Sequence, residues 1–147
     1  MSKWLVFDMD GTIADLYAVD NWLEKLRSAD PTPYLLAKPL VNLSRLARYI
    51  HRAQRYGYKI AVVSWLSKDS TAEYDEKVST AKLNWLKKHL PSVDFDEIAI
   101  VAYGTPKSTV IPKARNGILF DDEEQNLAEW NGISVHPSFM FEFLKMI

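Results

Sequence analysis

Two aspartates one residue apart, Asp8 and Asp10, stand at the end of the apolar run Trp4-Leu5-Val6-Phe7, and Gly11 and Thr12 come directly after them. Removing carboxylates from water is costly unless something compensates. An apolar strand aimed at such a pair therefore calls for a bound cation or a reaction. A second acidic pair, Asp121 and Asp122, ends another apolar run, Ile118-Leu119-Phe120. Between the two, Ser64 closes the run Lys59–Val63, and Lys107 comes a few residues after Glu97–Ala102. Four carboxylates brought together repel one another, and a divalent cation resolves the repulsion. An all-oxygen set without His or Cys suits Mg²⁺ over zinc. Ser64 and Lys107 add a hydroxyl donor and a positive charge, as an anionic substrate requires. The set reads as Mg²⁺ plus phosphate.

Those residues converge only if particular elements carry them. Trp4–Phe7 is apolar on both faces, the mark of a strand inside a parallel sheet. Leu16, Val19, Trp22, Leu23 and Leu26 recur at helical spacing, and Asp30-Pro31-Thr32-Pro33 breaks the pattern. Residues 16–38 thus read as a small helical cap insertion hanging over the end of the first strand. From Leu40 the period is plain (Leu43, Leu46, Ala47, Ile50, Ala53), with Pro39 suited to the first turn and Gly57 ending the helix. Lys59–Ser64 is the second strand. Ser70-Thr71-Ala72-Glu73 has capping-box spacing for a helix that Pro91 stops. Glu97–Ala102 is the third strand and Ile118–Asp122 the fourth. A short helix over 123–130 comes next, then a fifth strand over Ile133–His136. A final helix, capped by Ser138, runs to Ile147. Strands alternating with helices predict one α/β domain over 1–147, a three-layer Rossmann-like parallel sheet of about five strands flanked by helices. The carboxyl ends of parallel strands share one edge, where open α/β sheets bind ligands.

The bulk numbers are permissive. The chain has 147 residues, 48% of them hydrophobic, 25% charged and none cysteine. A net charge of −1 creates no global field that would recruit nucleic acid or an anionic membrane. No apolar run approaches the roughly 18 residues of a membrane span, and the first run is too short for a signal-peptide core. With the absence of cysteine, a cytoplasmic location is the expectation.

The succession Phe-Asp8-Met-Asp10-Gly11-Thr12-Ile, strand-Ser64, Lys107 and Ile-Leu-Phe-Asp121-Asp122 resembles the haloacid dehalogenase-like superfamily across about the whole chain. Asp10, two residues after Asp8, implies a phosphatase rather than a dehalogenase. The resemblance implies that Asp8 attacks phosphorus and that Asp10 serves as acid and base. It implies Mg²⁺ on Asp8, the Asp10 carbonyl and Asp121, with Asp122 acting directly or through water. It gives phosphate binding to Gly11, Thr12, Ser64 and Lys107. Lys107 lies nearer the acidic pair than the family lysine often does. Lys113 is the alternative on the same segment, but it is closer still. The chain looks most like the small nucleotidases, so a nucleoside monophosphate is the expected substrate.

Other readings stand beside this one. Arg45, Arg48, Arg52 and Arg55 share a helix face, which suits a polynucleotide end as substrate or simply a solvated surface. Trp65 comes after Ser64 on the reactive edge, where its ring can stack on a nucleobase or pack in the core. Tyr17, Trp22 and Tyr34 carry the same ambiguity. Glu123 and Glu124 suit an acidic helix start. His51, His89 and His136 fall in separate elements and read as surface or packing residues. A phospho-accepting receiver domain uses similar groups, but in the reverse order. A catalytically inactive binding relative would lack a motif residue, and none is missing.

Overall fold

A computed structural model describes residues 3–147. Five strands form one parallel sheet: β1 (Lys3–Phe7), β4 (Tyr58–Trp65), β5 (Glu97–Val101), β6 (Ile118–Phe120) and β7 (Ile133–Val135). Their spatial order is β5-β4-β1-β6-β7. The first strand is thus the central one, paired with β4 on one side and β6 on the other. Trp4 to Phe7 are all buried, as a strand covered on both faces requires.

The pleat divides the core in two. Leu5 and Phe7 join Ile60, Val62, Ile118 and Phe120 on one face. There they meet helices α3 (Leu43–Arg55), α4 (Ala72–His89) and α6 (Met140–Leu144). Trp4 and Val6 join Ala61, Val63 and Leu119 on the other. That face is covered by short 3₁₀ turns over 107–114 and by Trp130, the residue after α5 (Glu124–Glu129). The α/β fold expected from the sequence is therefore present. The chain grows outward from β1 through β4 to β5, then returns to the other side for β6 and β7. The reversal falls between β1 and β6, where such sheets open a crevice at their carboxyl ends.

Between β1 and α3 the chain leaves the sheet. Two short strands, β2 (Ala14–Asp15) and β3 (Lys38–Pro39), pair antiparallel as Ala14↔Pro39 and Asp15↔Lys38. They clasp a segment holding α1 (Trp22–Arg27) and α2 (Thr32–Leu36). Leu16 and Tyr34 of this segment pack on Tyr74, Val78 and Ala81 of α4.

Several boundaries differ from the sequence reading. Pro39 lies in β3, and α3 begins at Leu43, because the Asn42 side chain accepts from the Arg45 amide and caps it there. Thr71 rather than Ser70 caps α4, accepting from the Tyr74 amide at 3.2 Å. Ser138 does not cap the last helix. His136 Nδ1 accepts from the Ser138 amide, and a 3₁₀ turn precedes α6, which ends at Leu144. Among the described residues no helix is long and apolar enough to cross a membrane.

Candidate active site

Asp8 is the first residue past β1, and its amide donates to the Phe120 carbonyl of β6 at 2.9 Å. The next turn is wound around a single oxygen. The Met9 carbonyl accepts from the amides of Thr12, Ile13 and Ala14 at 3.1, 2.9 and 2.9 Å. Gly11 adopts φ +84°, in the left-handed region, and a Cβ there would lie 2.2 Å from Asp122 Oδ2. Glycine is thus required twice, by the backbone conformation and by the acidic side chain beside it.

The two oxygens of Asp8 are held separately. Thr12 Oγ1 donates to Oδ2 at 2.9 Å, and Lys107 Nζ donates to Oδ1 at 2.8 Å. Lys107 also donates to Asp121 Oδ2 at 2.7 Å and to the Val63 carbonyl at 3.0 Å. It is 2% exposed, and it, not Lys113, reaches the acidic centre. Lys113 sits exposed in the turn Pro112–Ala114. Burial works to lower the pKa of Lys107, but the charges of Asp8 and Asp121 outweigh it and hold the ammonium above its usual range.

Asp121 comes directly after β6 and is fully buried. Its Oδ1 accepts from the Glu123 amide at 2.9 Å, and its Oδ2 accepts from Asn126 Nδ2 at 3.1 Å as well as from Lys107. Asn126 and the Glu123 amide are site groups that the sequence reading does not include. Burial and the neighbouring Asp8 charge push Asp121 up to about 6. The same two causes push Asp122 up to about 8.

Ligand atoms of Asp8, Asp121 and Asp122 lie within 4.8 Å of one another. Asp122 Oδ1 is buried with no hydrogen-bond partner among the described residues. Clustered carboxylates, with Asp121 and Asp122 raised in pKa, and one orphaned oxygen fit a divalent cation bound through oxygen.

Gly11 and Thr12, expected at the phosphate, have polar groups engaged within the turn. The Gly11 amide donates to the Ala14 carbonyl and the Thr12 amide to the Met9 carbonyl. The Thr12 hydroxyl is spent on Asp8. These bonds shape the turn and hold one oxygen of Asp8. Among the described residues, the amides beside Asp8 that this turn leaves without an acceptor are those of Met9 and Asp10.

Asp10 meets a second lysine. Lys82 Nζ, from α4, donates to Asp10 Oδ2 at 3.0 Å, to Ser64 Oγ at 2.7 Å and to the Trp65 carbonyl at 2.7 Å. Burial raises the pKa of Asp10, Lys82 opposes that, and the Asp8 charge adds to it; the net direction is upward. Sequence reasoning misses Lys82, although a signal is there. It stands four residues after Val78 and three before Trp85, on the buried stripe of its helix.

Above these groups lies a cleft of about 470 Å³ lined by Asp8, Asp10, Lys107 and Asp122 and by aromatic residues of the insertion and loops. Trp65 is half-buried at its wall. Its Nε1 donates to the Thr105 carbonyl at 2.9 Å, and its ring lies 5.0 Å from that of Tyr103. Tyr17 and Trp22 line the same cleft and meet edge to face, 5.0 Å between centroids. Tyr34 is buried, with its hydroxyl 2.9 Å from Ser67 Oγ.

The arginines lie elsewhere. Arg45 is spent on the rings of Tyr49 and Phe141, and Arg48, Arg52 and Arg55 line the outer side of α3. Their half of α3 bonds the segment before β5, through His51 to the Ser92 carbonyl and Gln54 to the Asp94 carbonyl. That segment enters the sheet at the edge opposite the acidic cluster.

No family model matches the chain, and no curated protein matches it. Solved structures do. The fold is similar to that of D,D-heptose 1,7-bisphosphate phosphatase from Burkholderia thailandensis, with a TM-score of 0.53 and 16% identity over 86% of this chain and 70% of that one. It is also similar to a chain of the Pnkp1/Rnl/Hen1 complex, with a TM-score of 0.53 and 19% identity over 92% of this chain and 46% of that one. At these identities the likeness is one of fold.

Proposed function

We propose that this chain is a Mg²⁺-dependent phosphomonoesterase of the haloacid dehalogenase-like type, with Asp8 as nucleophile and a nucleoside monophosphate as substrate. One observation carries the reading. Asp8 stands at the switch point of the sheet with both oxygens held, within reach of Asp121 and Asp122 and two residues before Asp10. A neighbour in fold is itself a phosphatase.

The positions support a definite chemistry. Thr12 and Lys107 present the Asp8 carboxylate, and one of its oxygens forms a bond to phosphorus as the ester P–O bond breaks. Asp10 gives its proton to the departing oxygen, then takes one from the water that hydrolyses the aspartyl-phosphate. Upward displacement of its pKa by burial suits a carboxyl that must begin protonated. The Ser64 hydroxyl, the Lys107 ammonium and the amides of Met9 and Asp10 stabilise charge on the phosphoryl oxygens. Asp8, Asp121 and Asp122, with the Asp10 carbonyl, would hold the Mg²⁺. When bound, the ion neutralises the carboxylates and the phosphoryl group they face.

The base would lie among the aromatic side chains of the cleft, with Trp65 as the stacking partner. The test is phosphate release with Mg²⁺ from nucleoside 5′- and 3′-monophosphates, sugar phosphates and an end-phosphorylated oligonucleotide. Turnover of the monophosphates is the expected result. Release from sugar phosphates alone would remove the nucleotide part, release from the oligonucleotide alone would favour a polynucleotide end, and no release from any would overturn the phosphatase.

A further inference from the structure

A lysine with no exposed surface is unusual, and Lys82 is 0% exposed. An ammonium has three protons to give and accepts nothing. Lys82 gives all three, to Asp10 Oδ2, Ser64 Oγ and the Trp65 carbonyl, at 3.0, 2.7 and 2.7 Å. The Tyr34 ring covers the group, its centroid 5.0 Å from Nζ. Burying an ion pair contributes little to stability compared with a packed apolar residue. A methionine would fill this space without desolvating a charge, so the ammonium has another task.

Its being a pure donor has two consequences. The Ser64 oxygen accepts from Lys82, so the Ser64 hydroxyl proton must point away from α4. Among the described residues no acceptor takes it, which leaves the cleft side. Asp10 is tied through Oδ2, so its other oxygen, Oδ1, is the one turned free of the ammonium.

We propose that Lys82 is a positioning residue of the active site. It fixes the Asp10 carboxyl for proton transfer to the leaving group, and it aims the Ser64 hydroxyl at the phosphoryl oxygens. The proposal rests on the phosphatase reading for its chemical meaning, but the placement it asserts is separately measurable.

Lys82→Met keeps an unbranched chain one atom shorter and removes the donors. The two roles separate by leaving group when kcat/KM is compared with and without Lys82. An alkyl phosphate such as glycerol 1-phosphate needs a proton to leave, whereas 4-nitrophenyl phosphate leaves as a stable anion. Loss of a placed general acid lowers the first by about 100-fold. Loss of the Ser64 aim alone lowers the second by about tenfold. Equal losses on both substrates would overturn the assignment to Asp10. In the Asp10→Asn background, Lys82→Met is expected to lower both esters alike, by only about the tenfold of the Ser64 aim. Full additivity on the alkyl ester would count against the proposal.

A crystal structure of Lys82→Met answers without turnover. Displaced Asp10 and Ser64 side chains support the proposal. If both stay in place, it is wrong, even for a protein that hydrolyses neither ester; that second failure would be the phosphatase reading's own. Should the Met variant not fold, Lys82→Cys provides another route, since the chain has no other cysteine. Alkylation with 2-bromoethylamine in denaturant, then refolding, rebuilds a lysine-like ammonium, while alkylation with iodoethane supplies the bulk alone. Rescue by the amine and not by the ethyl group is expected. Equal rescue by both would reduce Lys82 to packing.

Discussion

Asp8 and Lys107 stand 99 positions apart in the chain and 2.8 Å apart in the fold. The same ammonium lies 2.7 Å from Asp121. One cation thus joins the carboxyl ends of neighbouring strands that would otherwise present bare like charges to each other. Removing it leaves two buried carboxylates unpaired. Lys107→Met should cost about 3–5 kcal/mol of stability, the usual penalty for breaking a buried pair from one side. Urea unfolding with and without Mg²⁺ measures it, and part of the loss should return with the ion. A variant as stable as the parent would show that the bridge contributes nothing.

Asp8→Asn removes the proposed nucleophile and should abolish turnover. Asp10→Asn should lower it by about 10²–10⁴-fold, the range of a single acid–base group. Phosphate release from the best substrate of the panel is the readout. Near-parental activity in either variant would sink the mechanism.

Gly11→Ala puts a methyl where Asp122 Oδ2 stands and forces a side chain into φ +84°. The strain should cost about 1–3 kcal/mol. Because Asp122 must move, Mg²⁺ affinity should fall as well, by about tenfold. Calorimetric titration with Mg²⁺ tests the second effect apart from the first. Unchanged affinity would mean that Asp122 does not take part in holding the ion.

Proton binding sets a direction for stability. Asp121 at about 6 and Asp122 at about 8 lie above the value of about 3.9 for an unfolded aspartate. Asp10 is displaced the same way. Between those limits the folded chain holds more protons than the unfolded one, so its stability without metal falls as pH rises. Lys107, raised above the ordinary lysine value, holds its proton in both states across that window. Melting in EDTA should therefore give a Tm that declines from about pH 5 to about pH 8. Mg²⁺ compensates the same charge, so the Tm gain it brings should be larger at the higher pH. Equal gains at both would argue that the ion binds elsewhere.

Trp65→Ala should raise KM for a nucleoside monophosphate by about 3–10-fold, the worth of one aromatic contact. KM for ribose 5-phosphate should stay near the parental value. Steady-state kinetics on the two esters decides, and parallel changes would move the base away from Trp65.

Much of the fold and site is legible in the sequence because parallel strands announce themselves. Trp4–Phe7 and Ile118–Phe120 are apolar on both faces, and the residues just past such strands must lie at one edge. That alone brings Asp8, Ser64 and Asp121 together. Lys107 over Lys113 is also readable, from its place just past a strand. Lys82 is not, because its partners are 72 and 18 positions away and a lysine on a helix is ordinarily solvated. The bond from the Thr12 hydroxyl to Asp8 is not legible either, because sequence indicates the backbone turn but not the direction of the hydroxyl. The start of α3 is misplaced because Pro39 fits a first helical turn as well as it fits the edge of a two-residue ribbon. Only the pairing with Ala14, across the whole insertion, selects between them.

The central place of β1 bears on how the chain is made. This strand emerges before both its neighbours, β4, which comes soon after, and β6, which comes only after Gly117. Until then β1 offers one open row of amides and carbonyls, and Asp8 faces neither Asp121 nor Asn126. A nascent chain halted short of β6 is thus both adhesive at its middle strand and chemically incomplete. The pairing of β6 with β1 gives the middle strand its second neighbour and brings the two aspartates behind β6 to Asp8.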